Sequence, residues 1–297
     1  MVAFNSIYTN PAAYTALQSL NKINRNLDIS QNRVASGLRV ASALDNASSF
    51  SIAQGIRGEI AAIDSVQSNI AKVKGIVDYT LAAAEGISDL TGQLRAKFQE
   101  MASQSSTANQ RAAIGVEIQE LVSQARGLAK QAANKDEHAG SLVDLFSVAG
   151  GGANLTVATN IIFGAASAAA ASSTIVVTKA ETAALFTHLN SFSTQGDSAN
   201  ATTARANSIL TGQFATYELA VATALGKLAG KSRQLEGQQD FLIKLKATRN
   251  EIIGGYVDTD LATESARLTA LQVQQQLAVQ AIGIANQRPQ SLLGLFR

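Results

Sequence analysis

The amino-acid sequence predicts a mainly α protein: a long antiparallel helical rod with a terminal two-helix coiled-coil domain and a small β-containing outer insert. Apolar residues recur at coiled-coil spacing near both ends of the 297-residue chain and at helical spacing over long stretches between them, whereas the middle changes to Gly, Ala, Ser and Thr. The predicted domains are therefore residues 1–44 with 256–297, residues 45–145 with 203–255, and residues 146–202.

Each end of the chain carries a narrow apolar stripe, here called a seam, whose steps of three, four or seven residues are typical of a coiled coil. Pro11 stands where the first helix can begin, and Gly37 weakens that helix near its end. Neither terminal helix shows a recognisable cap, so we expect both to depend on packing. The predicted seam residues are Leu17, Leu20, Leu27, Val34 and Leu38 in the first helix and Val257, Leu261, Leu268, Leu271, Ala278 and Ile282 in the last.

The helical period continues between the two ends. From residue 45 to about residue 100, Ile, Val and Leu form one stripe with polar residues between them, which favours a single long helix. A polar turn at 103–110 and a returning helix that ends at 134–140 follow, and another helical stretch begins at about Thr203. Gly254 and Gly255 predict a break before the last helix.

Residues 148 to about 200 differ in kind from the rest of the chain. The stretches LTVATNIIF and TIVV are β-branched and lie between Gly- and Ala-rich runs, so they predict short strands or a hairpin. Because the segment consists largely of Ala, Ser and Thr, we expect a loose insert without a deep core.

The two seams are expected to lie against each other, with both chain ends side by side. Such a pair buries only one stripe per helix, which is too little to offset an ordering entropy of roughly 1–2 kcal/mol per residue. Further apolar residues flank the seams, so the pair needs other partners, and copies of the same chain are the natural ones. A contact between unlike surfaces of identical chains repeats into a helical polymer. The flanking residues are Phe4, Ile7 and Tyr8 at the head and Leu292, Leu293, Leu295 and Phe296 at the tail.

Composition argues against several function classes. A net charge of +2 without a Lys/Arg cluster predicts neither nucleic-acid nor membrane-surface binding. The absence of cysteine excludes disulfides and thiolate chemistry. The longest apolar stretch, 161–171, is about half as long as a membrane helix needs, and the N-terminus lacks a secretory signal. We expect a cytoplasmic chain, or one that leaves by a route without a cleaved signal.

Catalytic motifs are missing from the sequence. His138 and His188 are interpreted as solvated loop residues, because neither has a second ligand at metal spacing. The glycines at 150–152 are not followed by the Gly-Lys-Ser/Thr sequence of a phosphate-binding loop. The carboxylates are spread along the predicted helices, so nothing indicates an acid–base pair in one cleft. The sequence therefore predicts no enzyme activity, no cofactor and no metal.

The two ends of the chain together resemble bacterial flagellin. The head, NSIYTNPAAYTALQSLNKINRNLDISQNRVASGLRVASALDNASSFSIAQGIR, is similar to that family's opening, and the tail, QVQQQLAVQAIGIANQRPQSLLGLFR, is similar to its close. The resemblance covers roughly residues 1–145 and the last 95 residues. It implies a filament subunit that is exported unfolded by the flagellar type III pathway, with the seams, Leu292, Leu295 and Phe296 packed in the filament core.

One departure from the family pattern lies in the connection between the first seam helix and the long helix. The family's D-D-A-A-G-L-A-I stretch reads DNASSFSI at residues 45–52, which could alter how subunits lock. The residues expected to act in this connection and in subunit contact are Arg33, Arg39, Asp45 and Asn46. Two alternatives stay open: the hook–filament junction protein, a relative of flagellin, and a cytoplasmic helical signalling rod of the chemoreceptor type.

The resemblance also implies partners. They are further copies of the chain, the flagellar export chaperone and export gate, and the hook-associated and cap proteins. Flagellins recognised by the Toll-like flagellin receptor share a helix segment whose counterparts here are Gln93, Arg95, Lys97 and Glu117. Gln93 replaces the family's Arg and Lys97 replaces its Leu, so the resemblance predicts weak or no receptor activation.

Hydroxyl residues in the insert are candidate glycosylation sites. Composition alone marks no site, and simple solvated loops explain the same residues equally well. The candidates are Thr156, Thr159, Ser172, Ser173, Thr174 and Thr178.

Overall fold

A computed structural model describes residues 10–132, 134–136, 141–143, 154–158, 174–177, 187–189, 191–192 and 201–295. The described chain is mainly helical, as predicted. Its helices are α1 (Pro11–Ser36), α2 (Ala47–Ala102), α3 (Ala108–Gln131), α4 (Thr203–Ser208), α5 (Phe214–Val257) and α6 (Leu261–Leu295), with a π-helical turn at Ile209–Gln213. Its strands are β1 (Asn134–Asp136), β2 (Ser141–Val143), β3 (Leu155–Ala158) and β4 (Thr174–Val177).

The chain forms two compact units. The terminal unit comprises Met1–Ile60 and Ala247–Arg297, and the central unit comprises Ala61–Lys246. The unit boundaries fall inside α2 and α5 rather than at their ends. The three-part domain division drawn from the sequence stays a prediction.

Both terminal helices are capped, contrary to the prediction. The Asn10 side chain accepts a hydrogen bond from Ala13 N at the start of α1, where Pro11 occupies the first turn. Gly37 ends α1 in the left-handed region, with φ 72°, and its N–H donates to Arg33 O. At the start of α6, Asp260 Oδ1 accepts from Ala262 N at 2.9 Å. Caps of this kind contribute about 1 kcal/mol each.

The long helices follow the predicted order. The turn between α2 and α3 ends in a capping box, in which Thr107 and Gln110 satisfy each other's backbone N–H groups. The predicted break at Gly254 and Gly255 is wrong, because α5 continues through both residues to Val257. Two adjacent glycines lower helix propensity by about 2 kcal/mol, which the packing of this end of α5 overrides.

The core of the central unit combines aliphatic stripes from α2, α3 and α5 with a cluster of aromatic rings. Phe192 lies 5.8 Å from Phe98, 5.8 Å from Phe214 and 5.2 Å from Tyr217, measured between ring centroids. Burial raises the pKa of Tyr217 to about 12, and its hydroxyl accepts a hydrogen bond from Thr91 Oγ1 at 3.3 Å. The predicted stripe of α2 supplies much of this core, whereas Ile52 at its start is exposed.

The strands form two antiparallel pairs, β1 with β2 and β3 with β4. The second pair confirms the predicted hairpin where the structure describes it, and the first pair lies where the sequence indicated only the end of a helix. Composition predicted a loose insert without a deep core, but the described part of residues 146–202 packs into the core of the central unit. Five of its side chains are buried in the core of the central unit: Val157, Ile175, Val177, Leu189 and Phe192.

Candidate assembly site of the terminal unit

Helix α1 packs antiparallel against α6 along a heptad seam. All the buried and half-buried positions among the described side chains of α6 are separated by three or four residues, which is the spacing of a coiled coil. They are Glu264, Leu268, Leu271, Gln275, Ala278, Ile282 and Ala285, and a matching series on α1 runs Ala13, Ala16, Leu20, Ile23, Leu27, Ser30 and Val34.

Seven of the predicted seam residues lie in this interface: Leu20, Leu27, Val34, Leu268, Leu271, Ala278 and Ile282. Leu17 and Leu261 do not line this interface, since they are 48% and 50% exposed. Their packing in a filament core stays a prediction. Leu38 and Val257 contribute to a separate small cluster beyond the helix pair. The side chains of Leu292 and Leu295 and the whole of Phe296 lie outside the described residues.

Polar contacts cross the seam, and the sequence reading missed them because it followed only apolar residues. Ser30 Oγ donates to Glu264 Oε1, and both residues are buried. Arg33 Nη1 lies 4.0 Å from Glu264 Oε2. Extending the heptad phase of Leu27 and Leu271 to every seam position would have identified Ser30 and Glu264.

Two further polar contacts continue along the pair toward the start of α1. Gln275 Nε2 donates to Asn24 Oδ1 at 2.8 Å, and Asn10 Nδ2 donates to Ala285 O at 2.8 Å. The Asn10 side chain therefore caps α1 with its oxygen and binds α6 with its nitrogen.

The helix pair leaves much of its apolar surface uncovered. Among the described apolar side chains of α1 and α6, only Leu27 and Leu271 are buried. A groove of about 730 Å³ runs between the helices, lined mainly by small apolar residues together with Ile284. Large apolar side chains exposed on the same two helices are Tyr14, Leu17, Ile29, Leu261, Val273, Leu277, Val279 and Ile284.

Residues 37–46, here called the elbow, are tied to the segment that joins α5 to α6. The N–H groups of Arg39 and Val40 both donate to Val257 O, at 2.7 and 3.3 Å. The Arg39 guanidinium donates to Tyr256 O at 2.9 Å and so satisfies a carbonyl at the end of α5. Val40, Val257 and Ala53 are buried together beneath the elbow.

Asp45 and Asn46 give the elbow its local shape. The Asp45 carboxylate accepts hydrogen bonds from Ala41 N, Ser42 N and Ser42 Oγ, and these bonds, chiefly those from Ser42, lower its pKa. Asn46 Oδ1 accepts from Ser49 N at 3.0 Å in the first turn of α2. The intervening Leu44 is 98% exposed. Arg33, the fourth residue predicted for this connection, lies near Glu264 of the seam, and its charge also contributes to lowering the Asp45 pKa.

The segment of α2 predicted to correspond to a receptor-binding helix lies in the central unit. Gln93 is exposed there. Arg95 Nη1 lies 2.8 Å from Glu218 Oε1, and its guanidinium carbon lies 5.8 Å from the centre of the Phe214 ring. The Arg95 guanidinium therefore already has an anionic and an aromatic partner in the same chain.

Lys97 joins α2 to α3 through its ion pair with Glu117, and it also pairs with Glu100 of its own helix. Its Nζ lies 2.6 Å from Glu117 Oε2 and 3.2 Å from Glu100 Oε2, and the hydrogen bond to Glu117, followed by that to Glu100, raises the Lys97 pKa. A groove of about 510 Å³ lies beside these groups, with Val116 and Leu121 on its α3 side. A Leu at position 97 could not form either ion pair.

The remaining candidate residues lie only partly within the described structure. Thr156 and Thr174 are exposed, while Thr159, Ser172, Ser173 and Thr178 lie outside the described residues, as does His138. His188 is half-buried. Across the described ranges, no three or more His, Cys, Asp or Glu side chains are placed to hold a metal ion. No helix in the same ranges is both long and apolar enough to cross a membrane.

Comparison with known proteins agrees with this arrangement of paired terminal helices. The bacterial flagellin N-terminal helical region matches residues 7–138, and the bacterial flagellin C-terminal helical region matches residues 220–296. A flagellin of Brucella melitensis biotype 1 is 32% identical over 98% of this chain and 99% of its own. Flagellins FljK and FljM of Caulobacter vibrioides are 32% and 31% identical over the full length of both chains. The chain is therefore a member of the bacterial flagellin family.

Proposed function

We propose that this protein is the structural subunit of a bacterial flagellar filament, that it polymerises with copies of itself, and that it serves swimming motility. The observation that carries the proposal is the uncovered apolar surface of α1 and α6, described above. Burying a Val, Leu or Ile side chain contributes about 1.5–3 kcal/mol, so several such residues per subunit would stabilise a polymer strongly. The proposed function involves no enzymatic activity and no cofactor.

Export through the flagellar type III pathway to the extracellular flagellum belongs to the same proposal. The chain has no cysteine, so no disulfide has to be reduced before it is threaded unfolded. Its proposed partners are the export chaperone, the export gate, and the hook-associated and cap proteins. The junction protein and the signalling rod are not favoured, because the similar chains found by comparison are flagellins.

We further propose weak or no activation of the Toll-like flagellin receptor. Lys97 is held by Glu100 and Glu117, so a charged group occupies the place of an apolar anchor. Gln93 offers an amide where a guanidinium fork would bind. Loss of an anchor residue of this kind commonly lowers affinity by about 2 kcal/mol, or roughly thirtyfold.

Negative-stain microscopy of purified full-length protein under polymerising conditions tests the filament proposal. We expect helical filaments from the full chain. Removal of residues 1–38 or 262–297 should leave a soluble helical protein that does not polymerise, because each truncation removes one side of the seam. Filaments of normal length from either truncated chain would contradict the role assigned to the terminal helices.

A further inference from the structure

The last turn of α5, residues 254–257, is a weak piece of helix by its own sequence. Relative to two alanines, Gly254 and Gly255 shift the equilibrium between helix and open chain by about thirtyfold toward the open chain. A Cβ atom at position 254 would lie 2.7 Å from Asp258 Oδ2, so the carboxylate occupies space that glycine leaves free. At position 255 a Cβ atom would meet nothing within 4 Å. The first glycine is therefore required by a close contact, whereas the second only weakens the helix.

The elbow satisfies the carbonyl groups at the end of this turn. The last carbonyls of a helix have no donor within the helix and need partners from elsewhere. The Arg39 guanidinium donates to Tyr256 O at 2.9 Å and to Gly255 O at 3.4 Å. The N–H groups of Arg39 and Val40 donate to Val257 O. The last three carbonyls of α5 are thus capped by a segment that lies 217 residues away in the sequence, counted from Arg39 to Tyr256.

The docking of the elbow depends on few buried contacts. Its apolar cluster contains three buried side chains, those of Val40, Ala53 and Val257. The hydrogen bonds from the Arg39 guanidinium are exposed, and Leu44 at the outer end of the elbow is 98% exposed. Segments with few buried apolar contacts and exposed hydrogen bonds open locally at small cost in free energy. The elbow and the last turn of α5 therefore stabilise each other.

We propose that residues 254–257 form a conditional turn, which Arg39 and Val40 hold helical and which opens at its two glycines when the elbow leaves it. Four residues span about 6 Å as α-helix and up to about 13 Å when extended, so opening lengthens the connection between α5 and α6 by up to about 7 Å. The elbow, which joins α1 to α2, is released in the same event. Opening therefore frees the α1–α6 pair at both of its connections at once. This inference concerns the single chain and does not rest on the proposed filament.

Amide hydrogen exchange of the soluble full-length chain, resolved by NMR, measures the conditional turn directly. The reporters are the amides of residues 256–258, and residues 244–250 of the same helix are the internal reference. Where protection is small, the Cα chemical shifts of the reporters give the helical fraction of the turn.

Arg39→Ala removes the guanidinium from the end of α5 and should lower the protection of residues 256–258 by about fivefold, because a charged donor leaves the last carbonyls. The reference residues should change by less than about twofold. The matched control is Arg57→Ala, which removes an exposed guanidinium that donates to Gln54 within α2. It should leave the protection of residues 256–258 unchanged.

Gly255→Ala tests the other half of the proposal. Alanine favours the helix and its Cβ atom meets nothing at this position, so protection of residues 256–258 should rise by about fivefold. Combined with Arg39→Ala, it should return the protection to about that of the unmodified chain, because the turn then no longer needs the guanidinium.

The proposal is overturned if Arg39→Ala leaves residues 256–258 unchanged or if Arg57→Ala affects them equally. A loss of protection that extends equally over the reference residues also overturns it, because the change is then not confined to the turn. Where Arg39→Ala does not fold, Gly255→Ala alone decides: an unchanged protection and helical fraction of residues 256–258 would show that the turn does not open at its glycines.

Discussion

Replacing Phe192 with Ala should destabilise the central unit, although Phe192 belongs to the segment that the sequence identifies as an outer insert. The side chain is 0% exposed and contacts the rings of Phe98, Phe214 and Tyr217. Truncating a buried Phe to Ala costs about 3–5 kcal/mol, because apolar burial is lost and a cavity remains. The three ring pairs place Phe192 near the middle of that range or above it.

The expected change in melting temperature follows from the size of the central unit. A loss of about 4 kcal/mol in a unit of 150–250 residues lowers Tm by about 8–16 °C. Circular dichroism at 222 nm during a thermal scan of the soluble full-length chain measures it. The matched control is Phe241→Ala, because Phe241 is 56% exposed and its loss should change Tm by no more than about 2 °C.

An equal change in both variants, or a change below 2 °C in Phe192→Ala, would refute the reasoning. The same reasoning limits how far the insert can be shortened. Deleting residues 150–198 removes five buried side chains of the core and should prevent the central unit from folding normally. Replacing only residues 159–173, between β3 and β4, with a short turn should retain Tm within a few degrees.

Further outcomes are expected from the terminal unit and the surface. Leu271→Asp should abolish polymerisation by placing an unpaired charge in the seam, whereas the exposed neighbour Gln272→Asp should still form filaments in sedimentation assays. Amide exchange should be fast in α1 and α6 of the soluble chain and slow in the polymer; slow exchange in both states would contradict this. Gln93→Arg with Lys97→Leu should raise receptor activation in a reporter-cell assay of depolymerised protein. Intact mass of native filaments should exceed that of the bare chain if the insert is glycosylated, and equality would dismiss modification.

Long-period helical structure was predictable because it depends on residues that repeat over many turns. The stripe of α2 and the polar turn before α3 are confirmed within a few residues. The insert was not predictable in the same way. Five of its apolar residues are buried because the helices of the central unit supply the rest of the core: Val157, Ile175, Val177, Leu189 and Phe192. Composition averaged over fifty residues conceals five well-placed side chains.

The helix caps could not be predicted from the sequence either, for a different reason. Asn10 and Asp260 each stand immediately before or near a helix start, but an isolated Asn or Asp is equally common in loops. The side chain becomes a cap only when the backbone places N–H groups beside it, as for Ala13 N and Ala262 N. Gly254 and Gly255 illustrate the reverse, since a strong local break signal is overridden in α5 by the contacts of Val257 with the elbow.

In the terminal seams, burial does not follow the hydrophobicity of the residue. Counting apolar residues favours Leu17 and passes over Ser30, yet Leu17 is exposed and Ser30 is buried. A helix pair designed to be stable alone would reverse that choice, with leucine inside and serine outside. Here the interior of the pair is partly polar and its exterior is rich in large apolar side chains. Such a pair has a partly polar interface of its own, and the proposed filament would bury its exposed apolar side chains against other copies. That division is what a subunit needs if it is to remain soluble as a single chain and pack tightly in a polymer.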